Sequence, residues 1–188
     1  MSAGIIAVSG FAGSGKNTVG AEVARSLGWR IVAPTFKDLA SRDGISLMEF
    51  QEKAEKDLAI DYKFDAELAR QVGNGNCAVV TWIGPWIKKI SGKKYAGIMI
   101  PPVLPDVFSV WLDVDESTRA KRVAGRDGIS KEDAFFHIKK RDSGNVKRYK
   151  RAYGIDIMDH SGFDLVVKVS DERPEEVAKK ILAKFKME

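Results

Sequence analysis

The stretch Gly10-Phe11-Ala12-Gly13-Ser14-Gly15-Lys16-Asn17-Thr18 constrains the fold more than any other part of this chain. An apolar run, Ile5-Ile6-Ala7-Val8, leads into it, and an amphipathic stretch from Asn17 to Leu27 follows it. Strand, glycine loop, lysine and helix in that order make a phosphate-binding site, where an isolated glycine turn would be only a connection. The glycines let consecutive backbone N–H groups point inward, and the helix adds the positive end of its dipole. Lys16 contributes a point charge, so the cavity suits a polyphosphate. Loops of this type usually carry Ser or Thr directly after the lysine, where the hydroxyl meets Mg²⁺. Here Asn17 holds that position, and Thr18, one residue later, is the candidate metal ligand.

The rest of the chain alternates strand and helix signals. Strands are expected at Ile5–Ser9, Trp29–Ala33, Ala78–Ile83, Val107–Val114 and Asp164–Val169. Val19, Val23 and Leu27 form one helical stripe, ended by Gly28, and another helix begins at Phe36–Ala40. Ser46 and Glu49 form a capping box, with Leu47, Phe50 and Ala54 facing inward. Asp61–Val72 reads as a helix, Asp115 as a helix cap, and Ser130 as the start of a helix with Phe135 and Ile138 on its apolar face. Pro174 opens a last helix striped by Val177, Ile181 and Phe185. The segment from Ser91 to Asp106 reads as a loop, with Ile98-Met99-Ile100 as a short edge piece, because Pro101, Pro102 and Pro105 forbid a regular ladder. This alternation predicts an α/β fold: a central parallel sheet with helices on both faces and the ligand at the carboxyl ends of the strands. A single domain over residues 1–188 is expected.

The lone Cys77 excludes an internal disulfide, and with only His137 and His160 beside it a metal cluster is unsupported. No apolar run reaches the length of a membrane span and no signal peptide is evident, so a cytoplasmic protein is expected. A net charge of +5 fits either nucleic acid or phosphorylated small molecules. The small-molecule reading is preferred because cations gather where a phosphate site needs them: Arg119, Arg122 and Arg126 at helical spacing, then Lys139, Lys140, Arg141, Lys147, Arg148, Lys150 and Arg151. The alternative for such a run is a solvated helix face. A nucleic-acid partner is not expected, and a monomer is.

Several motifs together carry a family resemblance. The offset Lys16-Asn17-Thr18 is the one found in adenylate-kinase-like loops. Lys140-Arg141-Asp142-Ser143, continuing to Lys147-Arg148-Tyr149 and Tyr153-Gly154-Ile155-Asp156, is close to a family signature. Ser46-Leu47 through Phe50, Glu55-Lys56-Asp57 and Ile60-Asp61 look like the acceptor region of the same family. Over most of its length the chain resembles the cytidylate kinases of the archaeal type, a branch of the nucleoside monophosphate kinases. The resemblance implies a three-layer P-loop kinase fold with an acceptor-binding insertion at about 35–75 and a mobile lid at about 126–155. It also implies transfer of the γ-phosphate of ATP to CMP or dCMP with Mg²⁺. Within it, Gly10 to Thr18 hold ATP. Lys16, Arg122, Arg126, Arg141 and Arg148 are the catalytic cations, the first two arginines flanking the lid and the ATP phosphates, the last two closing on the transferred and acceptor phosphates. Arginine suits this work because its planar fork grips phosphate oxygens in pairs.

The acceptor half departs from the family pattern. The expected acid-glycine-arginine element after the Ala78–Thr81 strand is replaced by Thr81-Trp82-Ile83-Gly84-Pro85-Trp86, an expected arginine appears as Lys37, and Asn145 sits where an acid is usual. Lys37, Asp61, Trp82 and Asn145 are the candidate substrate contacts. Trp82 and Trp86 have two readings, an aromatic wall for a flat acceptor or core packing. Asp113 and Asp115 are candidates for holding Mg²⁺ waters, with helix capping the alternative for Asp115. A different small-molecule acceptor, or a nucleotide-binding protein with little transfer activity, stays open on these residues.

Overall fold

The computed structural model describes residues 4–186; the expected domain limits at 1 and 188 lie outside them. Helices on both faces enclose a five-stranded, all-parallel sheet in the order β2-β3-β1-β6-β7. Its strands are β1 (Gly4–Gly10), β2 (Arg30–Val32), β3 (Cys77–Val79), β6 (Asp106–Asp113) and β7 (Leu165–Lys168), while β4 (Lys94–Tyr95) and β5 (Ile98–Met99) form a separate antiparallel hairpin. Alternate residues of β1 feed two cores. Ile6 and Val8 pack with Val19, Val23, Val177 and Ile181 from α1 (Lys16–Leu27) and α8 (Pro174–Phe185). Ile5 and Ala7 pack with Leu68 and Val72 of α4 (Ala59–Val72) and with Ile87 and Ile90 of α5 (Ile87–Ile90). The isoleucines of β1 are fully buried, each contributing about 1.5–3 kcal/mol. Burial on both faces explains why this strand reads as a continuous apolar run.

The central position of β1 locates the site. Its neighbours β3 and β6 are reached in opposite directions, so the glycine loop emerges at the carboxyl-end crevice where strand order switches. Gly13 shows why the loop needs glycine. Its φ is +81°, and a Cβ there would lie 2.8 Å from the Arg119 carbonyl oxygen. Gly13→Ala is therefore expected to cost about 1–3 kcal/mol through backbone strain, read by urea unfolding, and to weaken ADP binding in parallel. An unchanged unfolding midpoint would show that the loop relaxes freely.

Most expected elements form where the sequence placed them. The Ser46–Glu49 capping box opens α3 (Leu47–Lys56), Asp115 caps α6 (Glu116–Asp127), and Ser130 caps α7 (Lys131–Tyr153), which is one continuous helix. α2 (Phe36–Arg42) has its own capping box, Thr35 with Asp38. Four expectations are corrected. β3 stops at Val79 rather than Ile83, because Thr81 Oγ1 accepts the Gly84 N–H at 2.9 Å and the Gly84-Pro85 step enters a 3-10 turn. The Asp61–Val72 helix begins earlier, at Ala59, whose N–H is taken by Asp57 Oδ1. Ile98 and Met99 pair with Lys94 and Tyr95, not with the main sheet, since Ala96 and Gly97 at positive φ close a tight hairpin turn. Phe135 points to solvent beneath Lys139 Nζ, while Ala134 and Ile138, one turn apart, form the buried stripe of α7.

Candidate active site

The glycine loop is clamped from outside. Arg119, from α6, is buried at 3 % exposure and donates from Nη1 to the Ala12 carbonyl at 3.0 Å and from Nε to the Val114 carbonyl at 3.2 Å. The same Nη1 lies 2.6 Å from Asp142 Oδ2, and Asp142 Oδ1 accepts the Ala12 N–H at 3.0 Å. Both backbone groups of Ala12 are thus held by side chains from α6 and α7. Arg122 continues the arrangement one turn later, donating to the carbonyls of Ser14 at 3.2 Å and Ser170 at 2.8 Å. Between the loop, α6 and the segment after β7 lies a cavity of about 470 Å³, lined by Gly13, Gly15, Thr18, Arg122, Arg126 and Arg173 among others. That volume suits a nucleotide-sized ligand.

Lys16, the first residue of α1, is half-buried, its Nζ 3.3 Å from the Phe11 carbonyl and 5.0 Å from the centre of the Trp82 ring. Burial pulls its pKa from 10.5 down to about 7, and the positive charges of Arg141, Arg119 and Arg126 add to the fall, while Asp142 opposes it. A lysine held this low by burial and neighbouring cations regains its charge when an anion comes beside it, which suits a phosphate site. Arg126 pairs with Asp127 at 2.7 Å, and Asp127 is held low by that pairing, with Lys37 and Arg141 adding positive potential. Lys37 and Arg141 are solvent-facing. Cations from α2, α6 and α7 thus act on one carboxylate, that of Asp127.

Arg148 differs from the other candidate arginines. It is 8 % exposed, with Nε 3.1 Å from Asp61 Oδ1, Nη2 2.6 Å from Asn145 Oδ1, and its plane over Phe36. Asp61 and Asn145 therefore touch Arg148 rather than lying open as contact groups. Trp82 and Trp86 both pack against the core, Trp82 also meeting Phe11 and Lys16 at the glycine loop and Trp86 meeting Phe163. Asp115 accepts the Thr118 N–H as a cap, and Asp113 is exposed at the end of β6. Thr18 is exposed on the first turn of α1. Among the described residues no cluster of three or more His, Cys, Asp or Glu could hold a metal by itself. Sequence reasoning counted Arg119 among the phosphate-site cations and Asp142 within the family signature, but gave neither a role at the glycine loop. The signal was present, since Arg119 lies one turn before Arg122 and Asp142 directly follows Arg141, but only the fold brings the pair to Ala12.

The model of the cytidylate kinase-like family matches residues 5–171. The chain belongs to that family. It is 37% identical over 175 residues to a cytidylate kinase of Pyrococcus horikoshii, covering 92% of this chain and 83% of that protein. It is 35% identical to one from Ignicoccus hospitalis, covering 94% and 96%. Among solved structures, an uncharacterized protein from Eubacterium ventriosum superposes with a TM-score of 0.68 at 19% identity, covering 99% of both chains. A shikimate kinase from Acinetobacter baumannii gives 0.61 at 14% identity, covering 99% of this chain and 94% of that one. At those identities the structural matches speak for the fold, and the sequence matches for the family. No helix among the described residues is long and apolar enough to cross a membrane.

Proposed function

We propose that the protein transfers the γ-phosphate of ATP to CMP or dCMP, with ADP and the nucleoside diphosphate as products. The observation that carries this reading is Lys16 half-buried among Arg119, Arg126 and Arg141 at a glycine loop, in a chain of the cytidylate kinase-like family. Phosphoryl transfer needs little covalent chemistry from protein; it needs two phosphorylated groups held in line and their charge neutralised. Gly10, Phe11, Ala12, Gly13, Ser14, Gly15, Lys16, Asn17 and Thr18 hold the ATP phosphates, with Arg122 against the same cavity. Arg126 and Arg141 neutralise the moving group. Arg148, held by Asp61 and Asn145, serves the acceptor phosphate together with Lys37. We assign residues about 126–155 as the lid, whose closure excludes water as a competing acceptor, and about 35–75 as the acceptor insertion. The Thr18 hydroxyl fits one ligand position of a hydrated Mg²⁺, which otherwise takes phosphate oxygens and water. That ion would neutralise charge between the phosphates. A soluble cytoplasmic monomer fits these substrates.

Purified protein with ATP, Mg²⁺ and a panel of nucleoside monophosphates tests the reading. CMP and dCMP are expected to give the fastest ADP release; if no acceptor raises it above the ATPase background, the reading fails. Trp82 stands in the segment that replaces the family's arginine element and faces Lys16. Trp82→Arg is expected to lower the KM for CMP about three- to tenfold by adding a charge-assisted pair. An unchanged KM would put Trp82 outside the reach of the acceptor.

A further inference from the structure

Two carboxylates one turn apart on α4, Asp61 and Asp65, are each 1% exposed, and each keeps one oxygen without a hydrogen-bond partner, Asp61 Oδ2 and Asp65 Oδ1. The other oxygen of Asp61 meets Arg148 Nε at 3.1 Å, and the other oxygen of Asp65 accepts the Tyr153 hydroxyl at 2.6 Å. The groups that face this pair are few. From α7 come Arg148, Tyr149, Tyr153 and Arg151, whose guanidinium donates to the Glu55 carbonyl. From α4 comes Tyr62, and from β4 comes Tyr95, stacked on Tyr62 and edge-on to Tyr153. α2 contributes Phe36, on which Arg148 lies. Two buried carboxylates thus face one buried guanidinium. Burial lifts both acids, Asp61 to about 6 against the pull of Arg148, and Asp65 to about 7. Between about pH 6 and 7 the arrangement favours Asp61 charged against Arg148 and Asp65 holding a proton beside Tyr153.

Arg148 is anchored along one edge. Its Nη2 donates to Asn145 Oδ1, its Nε is ion-paired with Asp61 Oδ1 without making a hydrogen bond, and its face lies on Phe36. A guanidinium is a rigid planar fork, so fixing one edge fixes the direction of the rest. We propose that Asp61, with Asn145, is the residue that positions Arg148 for the acceptor's phosphate, and that Asp65 sets the pH above which this positioning weakens. The inference rests on the acceptor-side reading of Arg148. When Asp65 loses its proton, a second buried anion competes for the same cation and lowers the positive potential that Arg148 offers to a phosphate.

Calorimetric binding of CMP without ATP, beside binding of ADP, tests this. Asp61→Asn is expected to weaken CMP about tenfold or more while ADP affinity stays within about twofold, with Asp61→Glu recovering part of the loss. A merely structural role would weaken both ligands alike. Asp65→Asn is expected to match the wild-type protein near pH 6 and to bind CMP about three- to tenfold tighter than it near pH 8.5; comparison at equal pH cancels the titration of the CMP phosphate itself. Breaking a buried pair endangers folding, so Asn145→Ala, which removes the other anchor, is measured alongside and is expected to weaken CMP selectively. CMP affinity within twofold of wild type in folded Asp61→Asn or, where that variant does not fold, in Asn145→Ala overturns the positioning role. An Asp65→Asn protein that follows the wild-type affinity at every pH overturns the role of Asp65. A wild-type protein that binds ADP but not CMP overturns the acceptor reading itself.

Discussion

Lys16→Met is expected to slow phosphoryl transfer by roughly 10²–10³-fold and, unusually for a site substitution, to stabilise the fold below neutral pH. The loss of rate follows from removing the cation that faces the polyphosphate. The gain in stability follows from linkage. Folding lowers the lysine from 10.5 to about 7, chiefly by burial and then by the repulsion of Arg141. A base whose pKa falls on folding carries a cost that is complete below its folded pKa. That cost is relieved as the pH rises from about 7 toward 10.5. The full shift corresponds to at most about 5 kcal/mol, and solvent reaching the half-buried side chain reduces it to roughly 2–3 kcal/mol. Methionine carries no such cost. Urea unfolding near pH 6 and near pH 10 measures the difference between the two proteins, and the stabilisation is expected only at the lower pH. An equal effect at both would sink the burial account. Selection for function over stability at active sites is the general case of this trade.

Arg119→Leu is expected to destabilise the protein by about 3–5 kcal/mol and to weaken ADP binding. The substitution strands the Asp142 carboxylate and the carbonyls of Ala12 and Val114, which Arg119 now serves. A stranded buried charge is costlier than a missing ion pair, so removing both partners in Arg119→Leu/Asp142→Leu is expected to recover a large part of the loss. Urea melts of the single and double variants measure this coupling. Additive losses would show that Arg119 and Asp142 act independently. The nucleotide effect has a different origin: with the Ala12 carbonyl released, the glycine loop is held less firmly in advance, and part of its ordering must come from ligand binding.

Much of this protein was legible before its fold was known, wherever the signal is local. The strand–glycine–lysine–helix order, the capping boxes, the αL glycine Gly28 and the apolar stripe of α8 each depend on residues within a turn or two of one another. Misreadings came where a distant group or a turn intervened. Ala78 to Ile83 looks like one strand, but a hydrogen bond from the Gly84 N–H to the Thr81 hydroxyl and the following Gly84-Pro85 turn end it early. Phe135 looks like core until the stripe of Ala134 and Ile138 turns inward instead. Asp61 and Asn145, the candidate substrate contacts, both touch Arg148: Asn145 from three residues away on α7, and Asp61 from α4, a partner that no spacing announces because α4 and α7 are far apart in the chain.

The order of residues from Ile5 to Leu27 was enough to determine that a polyphosphate site sits at the end of a central strand, because loop, lysine and helix dipole are all contiguous in sequence. The count and sign of the charges downstream were equally readable. What only the tertiary structure decided is the state of those charges. Lys16 is brought near its neutral form by burial among arginines, Arg148 is fixed by an acid on another helix, and Asp142 is committed to the glycine loop it would not have been assigned to. Electrostatic energy depends on distance and on access to water, and both are set by the packing of segments that the chain order keeps apart.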